Sequence, residues 1–90
     1  MEITYDPAKR GVTLRDRGID FQDASHVFAG PHTVLVDERF DYGETRHISA
    51  GYLDGRMVIV VWTQRGEARH IISMRKANER EQKNFRERLG

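Results

Sequence analysis

The 90-residue chain contains no cysteine, two prolines and one tryptophan, and it has no long apolar run. Without cysteine there is no disulfide framework and no thiolate metal site. No stretch approaches the roughly 20 apolar residues of a membrane span. No charged-then-apolar leader opens the sequence, so a cytoplasmic protein is expected. The four histidines (His26, His32, His47, His70) are scattered, and none pairs with a carboxylate at a known metal-ligand spacing. No metal or other cofactor is therefore expected. A Walker loop and a nucleophile elbow are also missing.

What is present is a mix of 38% apolar and 32% charged residues. That mix suits one globular domain spanning residues 1–90. The formal net charge of +1 hides an asymmetry: from Arg69 to Gly90 seven Lys/Arg stand against three Glu, while the first 68 residues carry a net of −3. A basic C-terminal segment of this kind suits an anionic partner, or it is simply a solvated charged helix.

Glu2–Tyr5 reads as a short strand. Asp6-Pro7 opens a helix, since Asp caps and Pro fits the first helical position; it runs to about Arg17 and stops at Gly18. Asp20 caps a second helix with Phe21, Ala24, Val27 and Phe28 on its buried stripe, ended by Gly30-Pro31. The period then changes. Thr33–Asp37, Arg46–Tyr52, Arg56–Thr63 and Ala68–Arg75 read as strands, with Asp54-Gly55 as a two-residue hairpin turn. The Met57–Trp62 run is apolar on both parities, as in a central strand covered on both faces. Asn78 caps a last helix, with Glu81 at the capping-box position and Phe85 and Leu89 as its one apolar pair. The expected fold is α+β: a small antiparallel meander with two N-terminal helices and one C-terminal helix.

Strict alternation along the last strand would put Ala68, His70, Ile72 and Met74 against the helices and Arg69, Ile71, Ser73 and Arg75 on the other face. Two guanidiniums sharing a face, about 20 Å apart at the strand rise, suit a polyanion lying along it. Arg75 has a second reading, an ion pair with Glu79 or Glu81. Glu44 and Arg46 sit at a strand entrance beside His47, whose ordinary pKa lies near neutrality. They read either as an exposed ion pair or as a site in which Arg46 meets phosphate and Glu44 or His47 moves a proton. His26, His32 and His70 read as structural or surface residues.

The ordered segments YDPAK (Tyr5 to Lys9), GIDFQDASHVF (Gly18 to Phe28), GETR (Gly43 to Arg46), VVWTQRGE (Val60 to Glu67) and RHIISMRKANEREQ (Arg69 to Gln82) resemble the BrnT family of toxins. The resemblance covers nearly the whole chain and is most specific in the closing Ile-Ser-x-Arg-x-Ala. It implies a fold similar to the RelE ribonucleases and RNA cleavage that arrests growth. It also implies a BrnA-like ribbon-helix-helix antitoxin, a heterotetramer of two toxins on an antitoxin dimer, and operator DNA bound only through that antitoxin. The chain departs from the family at Arg17, where relatives often have His, and at Phe85, where they often have Tyr. The site residues expected on this basis are Arg46, Arg69, Arg75, Glu44 and His47 for catalysis, with Arg17, Ser73 and Lys76 as RNA contacts. A non-catalytic module of the same fold, acting through its antitoxin or through nucleic acid, is the competing expectation. A stand-alone nucleic-acid-binding regulator is a third, disfavoured by the near-neutral total charge.

Overall fold

Asp6 starts the first helix as the sequence implies: its Oδ1 accepts the Ala8 amide, and Pro7 follows at the first helical position. A computed structural model describes residues 1–89. In chain order the elements are β1 (Glu2–Tyr5), α1 (Pro7–Arg17), a 3₁₀ turn (Phe21–Asp23), α2 (Ala24–Ala29), β2 (Leu35–Asp37), β3 (Arg46–Leu53), β4 (Arg56–Arg65), β5 (Ala68–Lys76) and α3 (Glu79–Leu89). Gly18 ends α1 at φ 68°, a left-handed conformation that glycine adopts without a Cβ clash, and its amide closes on the Leu14 carbonyl.

The architecture is α+β, with three α-helices on a five-stranded sheet ordered β1-β5-β4-β3-β2. The meander accounts for β2 to β5, which pair antiparallel. The fifth strand corrects the expectation of an all-antiparallel sheet, because β1 runs parallel to β5, with Ile3 opposite Arg69 and Tyr5 opposite Ile71. Four residues of β1 carry no local signal of their partner. The free edge of β5 is available to them, and pairing there lets Ile3 and Tyr5 pack on the core. The second N-terminal helix is also shorter than its apolar stripe suggests. Asp20 caps a 3₁₀ turn through the Gln22 amide, and only Ala24–Ala29 is α-helical. With α1 it makes one N-terminal helical layer.

The hairpin Asp54-Gly55 turns with both residues at positive φ, 51° and 78°, the geometry that matches strand twist. α3 begins with a complete capping box: Asn78 Oδ1 accepts the Glu81 amide, and Glu81 Oε1 accepts the Asn78 amide.

Two cores lie on opposite faces of the sheet. On one face Ile19, Phe21, Ala24, Val27 and Phe28 of the N-terminal layer pack on Val58, Val60, Trp62, Ile71 and Met74. On the other, Leu89 and Phe85 of α3, with Ala77, cover Ala50, Met57, Ile59 and Tyr52. α2 approaches β3 so closely that a Cβ at Gly51 would lie 2.6 Å from Val27 Cγ1. β4 alternates regularly between the two cores and is sealed on both faces, as its unbroken apolar run implied.

β5 does not alternate regularly. Val61 faces Ser73 and Trp62 faces Ile71, so Ile72 has no partner on β4. This β-bulge reverses the side-chain parity along β5. Ile71 and Met74, three residues apart, are therefore both fully buried under the N-terminal helices. The expected common face for Arg69 and Arg75 is thereby corrected. Arg69 stands before the bulge, on the helix-layer face. Arg75 stands after it, opposite Ile59, on the α3 face. His70, expected on one face with Met74, instead takes the opposite, α3 face, where its Nδ1 lies 2.9 Å from Thr4 Oγ1.

Among the described residues no helix is long and apolar enough to cross a membrane.

Candidate nucleic-acid interface

α3 covers only part of its face. The strand register divides that face into rows running across the sheet. Tyr52 and Met57 form one row, and Ala50, Ile59 and Arg75 the next; these lie under or beside α3. Leu35, Ile48, Val61 and Ser73 form a third. The last row is polar and spans all five strands. Asp37 pairs with Arg46, Arg46 continues the β3–β4 register beside Thr63, Thr63 pairs with His70, and His70 pairs with Thr4. This polar row lies beyond the part of the face that α3 covers; Thr63 and Asp37 are buried in it, and Thr4, Arg46 and His70 are half-buried.

Arg46 is held in place from below. Its guanidinium carbon lies 3.9 Å from the centre of the Tyr42 ring, within cation–π range. The Tyr42 hydroxyl donates to Asp37 Oδ2. Asp37 also accepts from Arg39 Nε and Nη2, both at 2.9 Å, and from the Arg39 amide. The carboxylate is 2% exposed, and the Arg39 guanidinium, then the Arg39 amide and the Tyr42 hydroxyl, hold its pKa well below the usual range despite burial. Asp37 thus ties the loop after β2 into a fixed shape that supports Tyr42 and, through it, Arg46. Arg46 itself has no carboxylate within ion-pair distance among the described residues, and its Nε is buried without an acceptor.

Other cations of this face are engaged. Glu44 lies 3.6 Å from Arg65. Arg75 donates both terminal nitrogens to Glu81, at 2.6 and 2.7 Å, and this pairing raises the Arg75 pKa while lowering that of Glu81. The ion-pair reading of Arg75 is therefore the one the geometry realises, with Glu81 as the partner.

The eight residues expected at the site separate into three groups. Arg46, Ser73 and Arg75 share the α3 face, with Glu44 at its rim beside Arg65. His47 and Arg69 lie on the opposite face, arriving from the two strands that flank β4. The His47 ring stacks on Trp62 with centroids 4.4 Å apart, and the Arg69 guanidinium lies 4.1 Å from the Trp62 centroid and 4.5 Å from that of Phe28. Arg69 is desolvated there, which lowers its pKa, and Nη1 of Arg69 and Nδ1 of His47 are buried without partners. Arg17 and Lys76 form the third group. Arg17 donates to the Met74 carbonyl at 2.9 Å, and both residues line a cavity of about 510 Å³ with Ile19, Leu53, Arg56 and Val58.

Sequence reasoning missed Arg39, Tyr42 and Asp37 as a supporting knot, and it missed His70 and Thr4 on the polar row. The loop composition gave no hint of the knot.

No three His, Cys, Asp or Glu side chains converge as a metal site among the described residues. No curated protein matches the chain. A family model described as the ribonuclease toxin, BrnT, of type II toxin-antitoxin systems matches residues 5–81. The match takes in the N-terminal helical layer, the whole sheet from Tyr5 onward and the capping box of α3, and so the chain belongs to the BrnT family of ribonuclease toxins.

Proposed function

We propose that the chain is the toxin of a type II pair and acts as a metal-independent endoribonuclease, cleaving RNA by attack of the 2′-hydroxyl on the adjacent phosphorus. One observation carries this reading: Arg46, half-buried, is fixed on an aromatic ring without an acidic partner, in a polar row of the sheet. A guanidinium aimed at a phosphorus centre stabilises the charge that accumulates in the phosphorane without a metal ion. Because it stays charged at any working pH and binds phosphate through a planar fork, it suits this role better than lysine.

Arg46 is the cation that meets the reacting phosphate. Ser73 and Arg75, one row and two rows nearer α3, line the path of the flanking nucleotides, and Glu44 positions Arg65 at the rim. Lys76 and Arg17 extend the cationic surface around the sheet edge. His47 and Arg69 act on the other face as packing partners of Trp62. The functional unit is a single domain of RelE-like fold working in the cytoplasm. Its partner is a ribbon-helix-helix antitoxin that assembles with it as a heterotetramer, covers the α3 face and carries operator DNA.

Controlled expression tests this reading. With the neighbouring antitoxin gene absent, growth stops and cellular RNA fragments; with it present, growth resumes. The purified protein cuts an RNA oligonucleotide at the same rate with and without chelator. Activity lost in chelator and restored by a divalent ion rules out the metal-independent mechanism. Growth arrest with intact RNA, and no cleavage by the purified protein, leaves the non-catalytic binding module.

A further inference from the structure

The α3 face carries one imidazole among the described residues. His47 lies on the opposite face against Trp62, His26 is exposed beside Asp23, and His32 bonds the Gly30 carbonyl near the end of α2. His70 alone sits on the polar row, half-buried, between Thr4 on β1 and Thr63 on β4. Its Nδ1 is 2.9 Å from Thr4 Oγ1. The contact holds the ring orientation; in the tautomer whose Nδ1–H donates to the Thr4 hydroxyl, Nε2 carries the lone pair. Thr63 in turn is held by its own bond to the Thr45 carbonyl at 2.7 Å, so the row is rigid on both sides of the imidazole.

Arg46 stands two strands from His70 along the same row. At the usual strand spacing that is about 10 Å between the two Cα atoms. Both side chains leave the same face, half-buried, on either side of the buried Thr63.

We infer that His70 is the general base of the ribonuclease reaction, a catalytic residue that takes the proton of the 2′-hydroxyl while Arg46 holds the phosphate. The step rests on the ribonuclease reading above. The His70 Nε2 lone pair accepts the hydroxyl proton, the 2′-oxygen bonds to phosphorus, and the bond from phosphorus to the 5′-oxygen breaks. The leaving oxygen takes a proton from water. The products are a 2′,3′-cyclic phosphate and a 5′-hydroxyl, and no oxidant, reductant or metal is needed.

Burial, more than the charged groups around it, favours a neutral His70 ring. Thr4 approaches from β1, Thr63 and Arg65 from β4, Glu44 from the loop before β3, and Asp6 and Lys9 from the start of α1. Burial lowers the imidazole pKa below 6.5, and Arg65 and Lys9 add to this against the opposing effects of Glu44 and Asp6. A ring kept neutral at working pH is in the protonation state that general-base catalysis requires.

The test uses the full chain and a short RNA oligonucleotide. Rates are measured from about pH 5 to about pH 8 for the wild type, His70→Asn and Thr4→Val, and the imidazole of the wild type is titrated by ¹⁵N NMR. The wild-type rate should fall on the acid side along a limb whose midpoint matches the NMR titration of His70. His70→Asn should lose about a hundredfold or more in kcat with KM nearly unchanged, and should lose the limb. Thr4→Val should lower kcat less and move the limb together with the imidazole titration. A wild type that cleaves RNA beside a His70→Asn protein of equal rate and equal pH profile overturns the role of His70 and leaves the ribonuclease reading intact. A wild type that does not cleave RNA overturns both. Should His70→Asn fail to fold, a wild-type limb that does not coincide with the His70 titration overturns the inference by itself.

Discussion

Arg75 on β5 and Glu81 on α3 form a bidentate pair, at 2.6 and 2.7 Å, across the boundary between the sheet and the last helix. The same carboxylate closes the capping box on the Asn78 amide, so one side chain ties the guanidinium, the loop and the helix start together. Arg75→Ala removes this tie. The pair is partly exposed, at 43% and 20% for the two side chains, so the loss is about 1 kcal/mol or less. For a domain of this size that is ~4–8 °C in Tm at most. The same variant should reduce the salt dependence of RNA binding by about one phosphate contact. Glu81→Gln frees the fork of a competing anion and should tighten RNA binding. Melting curves and binding titrations over a range of salt check both. Tighter binding by Arg75→Ala would remove Arg75 from the RNA path.

Arg46→Ala should cost about a hundredfold or more in cleavage rate, the scale seen when one group stabilising an anionic transition state is removed. Arg46→Lys should restore only part of the rate, because an ammonium lacks the planar fork. Tyr42→Phe keeps the ring under Arg46 but loses the hydroxyl bond to Asp37. It should lower the rate less than Arg46→Ala does. Single-turnover kinetics on one oligonucleotide orders the three variants.

Gly51→Ala should destabilise the fold by about 1–3 kcal/mol, the range for overpacking a core. The added Cβ would meet Val27 Cγ1 at 2.6 Å and the Pro31 carbonyl at 3.3 Å, and backbone on that side cannot withdraw. Denaturant unfolding measures the cost. Val27→Ala in the same chain relieves the nearer contact and should make the two changes less than additive.

The protein should lose stability in acid between about pH 4 and pH 2. Asp20 accepts two bonds from Arg10, at 2.8 and 2.9 Å, and one from the Gln22 amide. The Arg10 bond first, then the Gln22 amide, lower its pKa from 3.8 to about 2. The folded value lies below the unfolded one, so the stabilisation is fully present above about pH 4 and is lost as the pH falls through the folded value. Asp20→Asn should flatten this part of the profile. Tm measured across the acid range for both proteins decides it, and an unchanged slope in Asp20→Asn would assign the acid transition to Asp37 or Glu81.

Hydrogen exchange on the toxin alone and with its antitoxin should show new protection on β5 and α3, around Ser73–Arg75 and the helix start. α3 carries seven charged residues in eleven and rests on Phe85, Ala77 and Leu89, so it is weakly anchored before the partner arrives. Protection confined to α1 and α2 would place the antitoxin on the other side of the sheet.

The sequence by itself determined the punctuation of this protein. Asp6-Pro7, Asp54-Gly55 and the Asn78–Glu81 box act within a few residues, so their chemistry is local and legible. Met57–Trp62 declared a doubly covered strand because both parities are apolar. The residues proposed to face RNA were legible only as residue types. Which face each cation takes depends on the unpaired Ile72, and that bulge exists because Ile71 and Met74 both find room in one core. The tertiary structure alone decided that β1 lies parallel beside β5, that Arg69 and His47 pack on Trp62, and that His70 and Arg46 share a row. These are long-range pairings, fixed by which surfaces can be buried together, and no local pattern of the chain encodes them.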